Sequence, residues 1–222
     1  MELALFFISF ILVLGAQALV SGTYNKYKTI LNTKKLTGFD VAREILNQNG
    51  LKEIMIVETK GKMTDHYDPR RKVIRLSSEV YHDSTISSVA IAAHECGHAI
   101  QHQKKYTPLI IRNAIVPFVN FTSRIGYIVL VIGILASAFD IAIVGIVLLS
   151  ATLLFQLITL PVEFNASNRA IKILEKEKLI DEKEKQPVKN MLTAAALTYV
   201  ASLISNLLEI LRLFLMATRN RD

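Results

Sequence analysis

Long uncharged blocks alternate with charged segments along the chain and predict where it meets a membrane. The first block, residues 3–20, holds 18 residues without a charge, about the length that crosses a bilayer. Its first lysines, Lys26 and Lys28, follow the block instead of preceding it. This order favours a retained anchor helix over a cleaved signal peptide. We therefore expect an N-terminal transmembrane anchor over residues 1–21.

A second apolar block covers residues 125–162, and Asp140 splits it into arms of 15 and 22 residues. This pattern predicts a helical hairpin that enters and leaves the membrane. The first arm is short unless the helix extends back past Arg124 toward Pro117. That extension would leave Arg124 at the interface or facing protein.

A third uncharged block covers residues 191–208 and follows a charged helix predicted from Glu163 to about Lys189. Polar side chains fall on one face of this block at helical spacing, namely Thr198, Ser202, Ser205 and Glu209. A polar stripe of this kind favours a helix that packs on the rest of the protein or lies at the membrane interface over one that spans the bilayer.

The segment between the first two blocks has the composition of a soluble domain. Residues 40–49 predict a short helix that Gly50 ends, and residues 54–58 predict a strand. A hairpin follows, with Asp68-Pro69 in the turn and alternating residues 73–77 as the second strand. We expect an α+β, mostly helical membrane protein with a short antiparallel sheet.

A helix predicted over residues 86–103 carries the sequence His94-Glu95-Cys96-Gly97-His98, an HExxH motif. Two imidazoles four residues apart share one face of a helix, so His94 and His98 can bind a single zinc ion. Glu95 can then act as the general base, because zinc lowers the pKa of bound water from about 15.7 to about 7. The motif predicts peptide hydrolysis by zinc-activated water.

A catalytic zinc normally has three protein ligands and one open position, so the motif requires a third ligand. His102 continues the helical series but lies about 12 Å from His94 along a straight helix. A metzincin has its third histidine six positions after the second, where this chain has Lys104, so the metzincin class is excluded. Glu163, at the end of the second apolar block, is a better candidate, although a carboxylate there also suits a helix N-terminus. Spacing alone leaves both interpretations of Glu163 open.

The motif stretches resemble the YugP-like neutral zinc metallopeptidases of bacteria, a similarity that covers nearly the whole chain and is carried by residues 94–101, 64–69 and 160–164. More distantly, HExxH followed by Glu-Phe-x-Ala is similar to the gluzincin membrane endopeptidases, which include the CaaX-processing and heat-shock membrane proteases. The resemblance implies that one zinc ion is bound by His94, His98 and Glu163, and that Glu95 is the base.

The sequence departs from the gluzincin pattern four residues after Glu163, where Ser167 replaces the usual aspartate. That aspartate orients a ligand histidine, and such outer partners fix the histidine tautomer. Asn165, Ser167 and Asn168 are the candidates for this role, and the sequence does not choose among them.

Other contributions to a peptidase site are less specific in the sequence. His66, Tyr199 and Arg169 can each stabilise an oxyanion, although each residue type also serves ordinary structural roles. The strand at residues 73–77 can offer its edge to an extended peptide substrate.

Composition and charge agree with a membrane enzyme. Hydrophobic residues make up 51% of the chain, and the net charge of +7 comes mostly from basic residues that flank apolar blocks. No basic stripe interleaved with aromatics is present, so a nucleic-acid partner is not expected. Residues 21–112 contain fifteen basic and nine acidic side chains, while the hairpin tip has no basic residue. The positive-inside tendency then directs the catalytic segment to the cytoplasm.

These observations together predict an integral protein of the bacterial cell membrane that cleaves peptides or membrane proteins. The alternative is a catalytically silent membrane scaffold that retains a zinc site. A motif helix that itself spans the bilayer is disfavoured because Lys104 and Lys105 follow it closely. The oligomeric state is not indicated. The expected segments are an anchor, a catalytic segment, a membrane hairpin and a ligand-bearing helical segment, at residues 1–21, 22–112, 113–162 and 163–222.

Overall fold

The computed structural model describes residues 1–219 and shows a mostly helical chain with a small sheet, which confirms the predicted α+β fold. The helices are α1 (Glu2–Tyr27), α2 (Gly38–Gln48), α3 (Ser78–His82), α4 (Ile86–Gln103), α5 (Thr107–Leu135), α6 (Phe139–Leu149), α7 (Ala151–Lys176) and α8 (Lys185–Arg219). The strands are β1 (Met55–Thr59), β2 (His66–Asp68) and β3 (Val73–Ser77).

The chain divides into two compact units that draw on different parts of the sequence. The first, here called the sheet unit, contains the strands, the short helices and α4, and consists of Ala18–Tyr106 and Val162–Ala196. The second, here called the hairpin unit, contains α5 and α6, and its described residues are Met1–Gln17, Thr107–Pro161 and residues 197–219. All residues of the predicted metal site fall in the sheet unit.

β3 is the central strand of the sheet, whose order is β1-β3-β2. It pairs antiparallel with β2, which confirms the predicted hairpin, and parallel with β1, so the sheet is mixed. In the hairpin turn, Asp68 accepts hydrogen bonds on Oδ1 from the backbone N–H groups of Arg70 and Arg71 at 3.0 and 3.1 Å. The prediction that residues 73–77 offer an edge is wrong for most of the strand, because β1 pairs along all of β3 and β2 pairs with residues 73–75 on its other side.

α4 is the buried centre of the sheet unit. The Thr85 side chain caps it by accepting a hydrogen bond from the N–H of Ser88 at 3.3 Å, which satisfies one of the donors left open at a helix N-terminus. Its small and branched apolar residues belong to one core cluster together with α2 and β3, which includes Val41, Ile45, Ile74, Val89, Ala93 and Ile100. Burial of this apolar surface holds the motif helix in place.

α5 and α6 pack closely within the hairpin unit because glycines line their contact. A Cβ added at Gly145 would lie 2.5 Å from the backbone nitrogen of Leu130, and one added at Gly126 would lie 2.8 Å from the Cβ of Leu148. Any larger residue at these positions would push the helices apart. Small residues commonly allow such close contact between membrane helices.

α5, the first arm of the predicted hairpin, is longer than its stretch of 15 uncharged residues. α5 begins at Thr107 and extends past both Pro117 and Arg124. Asp140 lies in the first turn of α6, where its negative charge is favourable.

The charged helix that carries Glu163 ends at Lys176, earlier than the predicted end near Lys189. Lys178 adopts a φ of 53°, and the N–H of Leu179 bonds to the carbonyl oxygen of Leu174 at 2.8 Å. The helix thus ends next to a residue in the left-handed conformation, a position that glycine usually occupies, so no glycine in the sequence signals this end.

α8 begins at Lys185 and runs for 35 residues. The start of the predicted block packs into the core of the sheet unit, as expected, through Met191, Leu192 and Ala194. Val188, which precedes the block on the same helix, belongs to the same core. The remainder of the helix belongs to the hairpin unit. The block at residues 191–208 is therefore part of a helix much longer than the predicted one.

Within residues 1–219, four helical stretches are long and apolar enough to cross a membrane, namely Glu2–Tyr27, Thr107–Leu135, Phe139–Lys176 and Glu182–Arg219. The last stretch includes residues 191–208, so its length and composition do not support the preference for a non-spanning helix there. α4 is not among the four stretches.

Candidate metal centre

The HExxH motif lies in the middle of α4, where its two histidines share one face. The Nε2 atoms of His94 and His98 are 3.1 Å apart. Their rings are nearly perpendicular, with an interplanar angle of 87° and centroids 4.7 Å apart. Both rings thus direct Nε2 toward the same point, which is the arrangement expected from a spacing of four residues on a helix.

Glu163 on α7 reaches the same point from a second helix. Its Oε2 lies 3.3 Å from Nε2 of His94 and 3.5 Å from Nε2 of His98. The Glu163 side chain is only 2% exposed, and its carboxylate forms with the two imidazoles a group of donor atoms within 4.8 Å of one another. The structure therefore brings together the three residues that the family resemblance implies as ligands.

The separations of the donor atoms fit a zinc ion. Ligands placed tetrahedrally at bond lengths of about 2.0–2.1 Å lie about 3.3 Å from one another, and the separations in the cluster are 3.1, 3.3 and 3.5 Å. Two imidazole nitrogens and one carboxylate oxygen are also a donor set that catalytic zinc sites use, with the fourth position left open.

The cluster also favours positive charge. Burial by itself lowers the pKa of His98, but the hydrogen bond to Glu163 and the negative charges of Glu95 and Glu163 outweigh burial and raise that pKa above its usual value. The same negative groups favour a cation placed between the donor atoms.

Close approach of α4 and α7 depends on Gly97, inside the motif. A Cβ added at Gly97 would lie 2.6 Å from the carbonyl oxygen of Ala166, so any other residue would separate the helix of the histidines from the helix of Glu163. Sequence analysis did not assign this role. The signal in the sequence was a glycine inside a helical pattern. Glycine there lowers helix stability relative to alanine, so its presence indicates a packing or functional reason.

Glu95 is buried, with a relative exposure of 7%, and it immediately follows His94 on α4. Cys96, the next residue, has its Sγ 3.6 Å from the carbonyl oxygen of Ala42 on α2. Burial raises the pKa of this thiol, so Cys96 is an inert core residue. The motif can therefore contribute its two histidines and the carboxylate of Glu95 to a reactive site, and the thiol of Cys96 takes no part.

Asn165, Ser167 and Asn168 were the candidates for an outer partner of the motif histidines, and Ser167 is the one in direct contact. Its Oγ lies 3.2 Å from Nδ1 of His94, in the place where gluzincins use aspartate. Asn165 contacts His98 indirectly, through the side chain of Gln101. Asn168 is exposed. The sequence missed Gln101 because a polar residue near a helix end has no distinctive pattern.

The remaining candidates have other partners or belong to the other unit. His102 contacts the hydroxyl of Tyr67 through Nδ1 at 2.9 Å, and exposed His66 contacts the carbonyl oxygen of Thr64 at 2.8 Å. Arg169 donates from Nε to Oδ1 of Asn165 at 2.7 Å. Tyr199 belongs to the hairpin unit.

Comparison with known proteins agrees with the geometry. The family model described as "Putative neutral zinc metallopeptidase" matches residues 2–218. The "Putative membrane protease YugP" of Bacillus subtilis (strain 168) is 44% identical over 207 residues, which cover 93% of this chain and 92% of that protein. No solved structure matches the chain. The match over nearly the full length places the chain in the neutral zinc metallopeptidase family, as a membrane protein.

Proposed function

We propose that this protein is a membrane-bound peptidase in which one zinc ion is held by His94, His98 and Glu163. The observation that carries the proposal is the convergence of two imidazole nitrogens and one buried carboxylate oxygen within 4.8 Å. These residues come from two helices and from parts of the chain separated by 65 residues. Such a convergence of zinc-ligand types, at the spacing of zinc ligands and inside the core, supports metal-assisted hydrolysis as the reaction class.

When bound, zinc would acidify a water molecule and polarise the carbonyl of the scissile peptide. Glu95 is then the general base: its carboxylate takes a proton from the water as the oxygen adds to the carbonyl carbon. Glu95 next delivers that proton to the amine nitrogen as the carbon–nitrogen bond breaks. Burial of Glu95 shields the proton transfer from bulk water and strengthens local electrostatic interactions.

The proposed substrate is a peptide or an exposed segment of a membrane protein, in keeping with the name of the Bacillus relative. β2, an outer strand of the sheet, is fixed against the motif helix by the contact between Tyr67 and His102. An extended peptide can pair with such an edge through its backbone. We therefore propose the edge of β2, instead of β3, as the docking edge.

We further propose that the catalytic residues face the cytoplasm of a bacterial cell. The basic residues of the sheet unit support this orientation, because cytoplasmic segments next to membrane helices carry an excess of lysine and arginine. The tip between α5 and α6 lacks such residues and belongs on the opposite side.

Replacement of the base tests the mechanism. Glu95→Gln keeps nearly the same shape and leaves the three proposed ligands in place, so the variant should bind zinc as the parent does and lose about 100- to 10,000-fold in peptide hydrolysis. Zinc content and cleavage of a peptide substrate are measured on the same preparation. Substantial activity in Glu95→Gln would exclude the mechanism, and a parent protein that binds zinc without cleaving any peptide would favour the scaffold alternative.

Replacement of Glu163 tests the third ligand. Loss of an outer partner of a metal ligand typically weakens metal binding about 10- to 100-fold, and Glu163→Ala should weaken zinc binding by more than this because it removes a ligand itself. Glu163→Asp should also bind zinc poorly, because its side chain is one methylene shorter. Glu175→Ala is the matched control on the same helix, since Glu175 contacts Lys185 at the surface at 3.7 Å. Chelator competition measures the affinities. Zinc bound by Glu163→Ala as tightly as by the parent would remove Glu163 from the site.

Fusion reporters test the orientation. A reporter inserted near Asp140 should be accessible from outside the cell, whereas reporters near Lys62 and Lys183 should be accessible from the cytoplasm, because the basic residues remain inside. Protease protection of spheroplasts reads out all three positions. An external signal at Lys62 would place the active site on the outer side of the membrane.

A further inference from the structure

Gln101 is a fully buried polar residue, with a relative exposure of 0%, three positions after His98 on α4. Its side-chain amide makes three hydrogen bonds. Oε1 lies 3.0 Å from Nδ1 of His98, while Nε2 lies 2.8 Å from the carbonyl oxygen of Val162 and 3.0 Å from Oδ1 of Asn165. The amide therefore connects a histidine of α4 to the turn of α7 immediately before Glu163.

The orientation of the Gln101 amide follows from its partners. A backbone carbonyl oxygen accepts hydrogen bonds and cannot donate them, so the group that faces Val162 must be the NH2 of the amide. The carbonyl oxygen of the amide must then face Nδ1 of His98. The usual ambiguity between the two ends of a glutamine side chain does not apply to this residue.

The amide orientation determines the tautomer of His98. Because Oε1 of Gln101 accepts only, Nδ1 of His98 must carry the proton and donate it. In the neutral imidazole, Nε2 then presents its lone pair, and Nε2 is the atom that points toward His94 and Glu163. The protonation pattern of His98 is thus set by a backbone carbonyl on another helix.

The chain of contacts continues on the far side of Gln101. Oδ1 of Asn165 accepts hydrogen bonds from both the Gln101 amide and Nε of Arg169, at 3.0 and 2.7 Å. These two donors fix the orientation of the Asn165 side chain. Gln101 is consequently held by α7 at two points, one on the backbone and one on a side chain that is itself restrained.

We propose that Gln101 is a positioning residue that holds His98 in the tautomer required for zinc and couples this histidine to the turn of α7 that carries Glu163. The inference rests on the proposed function, since it assigns Gln101 a role toward the zinc ion. Zinc affinity then depends on contact between α4 and α7 in two ways: through Glu163 directly and through His98 by way of Gln101. Carboxylate and carbonyl partners of ligand histidines contribute to metal affinity in this manner.

Three variants separate positioning from packing. Gln101→Met has a similar length but makes no hydrogen bond, so zinc binding should weaken about 10- to 100-fold. Gln101→Glu retains an acceptor for Nδ1 of His98 but loses the donors to α7, because its second oxygen faces the acceptor oxygens of Val162 and Asn165. It should therefore recover part, and not all, of the affinity lost in Gln101→Met. Gln103→Ala is the control on the same helix, where the exposed glutamine donates to the carbonyl oxygen of Asn49 at 3.0 Å, and its affinity should equal that of the parent.

The affinities are measured on purified full-length protein by chelator competition with zinc alone. Nuclear magnetic resonance of protein labelled with 15N-histidine provides a second readout: the Nδ1 proton of His98 should exchange slowly in the parent and in Gln101→Glu, and rapidly in Gln101→Met. A general loss of packing would not be reversed by glutamate. If Gln101→Met does not fold, Asn165→Ala is used in its place. Asn165 is half-buried, and its replacement by alanine should weaken zinc binding less than tenfold. Asn165→Asp keeps the acceptor oxygen and should restore the affinity.

Equal zinc affinity in the parent and Gln101→Met, or equal losses in Gln101→Met and Gln101→Glu, would overturn the positioning role. Either result leaves the zinc site itself intact, because the parent still binds the ion. A parent protein that binds no zinc would instead contradict the proposed function, and with it the inference.

Discussion

The candidate site depends on one constraint, the close approach of α4 and α7 where Gly97 meets Ala166. A Cβ at Gly97 would collide with the carbonyl oxygen of Ala166 at 2.6 Å. Because glycine has only a hydrogen atom at this position, the helices come close enough for Glu163 to reach the two histidines and for Ser167 to reach Nδ1 of His94. A separation of the helices by even one methyl group would lengthen several of these contacts together, because interiors are close-packed and transmit such shifts.

The surrounding structure buries this contact. α4 is enclosed by apolar side chains of the sheet unit, and Glu163 would be costly to bury if no positive partner stood beside it. The buried amide of Gln101 satisfies its polar atoms on both helices at once. A zinc ion placed among these groups would be held by preorganised donors, with little rearrangement on binding.

Local patterns predicted the motif helix, the β-hairpin and the apolar arms, because each depends on residues close in sequence. The parallel pairing of β1 with β3 joins segments on either side of β2, and no local periodicity encodes it. Spacing left Glu163 open for the same reason: 65 residues separate it from His98, and only resemblance or tertiary structure connects them. Gln101 was missed because its partner is a backbone carbonyl, which every sequence position possesses.

The central claim is that two helices supply two imidazoles and one carboxylate to a single zinc ion. X-ray absorption at the zinc edge of the purified protein tests it most directly. The account predicts one zinc per chain, with nitrogen and oxygen neighbours at about 2.0–2.2 Å and the outer scattering of two imidazole rings. A sulfur neighbour at about 2.3 Å, which only Cys96 or a methionine could provide, or scattering from fewer than two imidazoles, would contradict it.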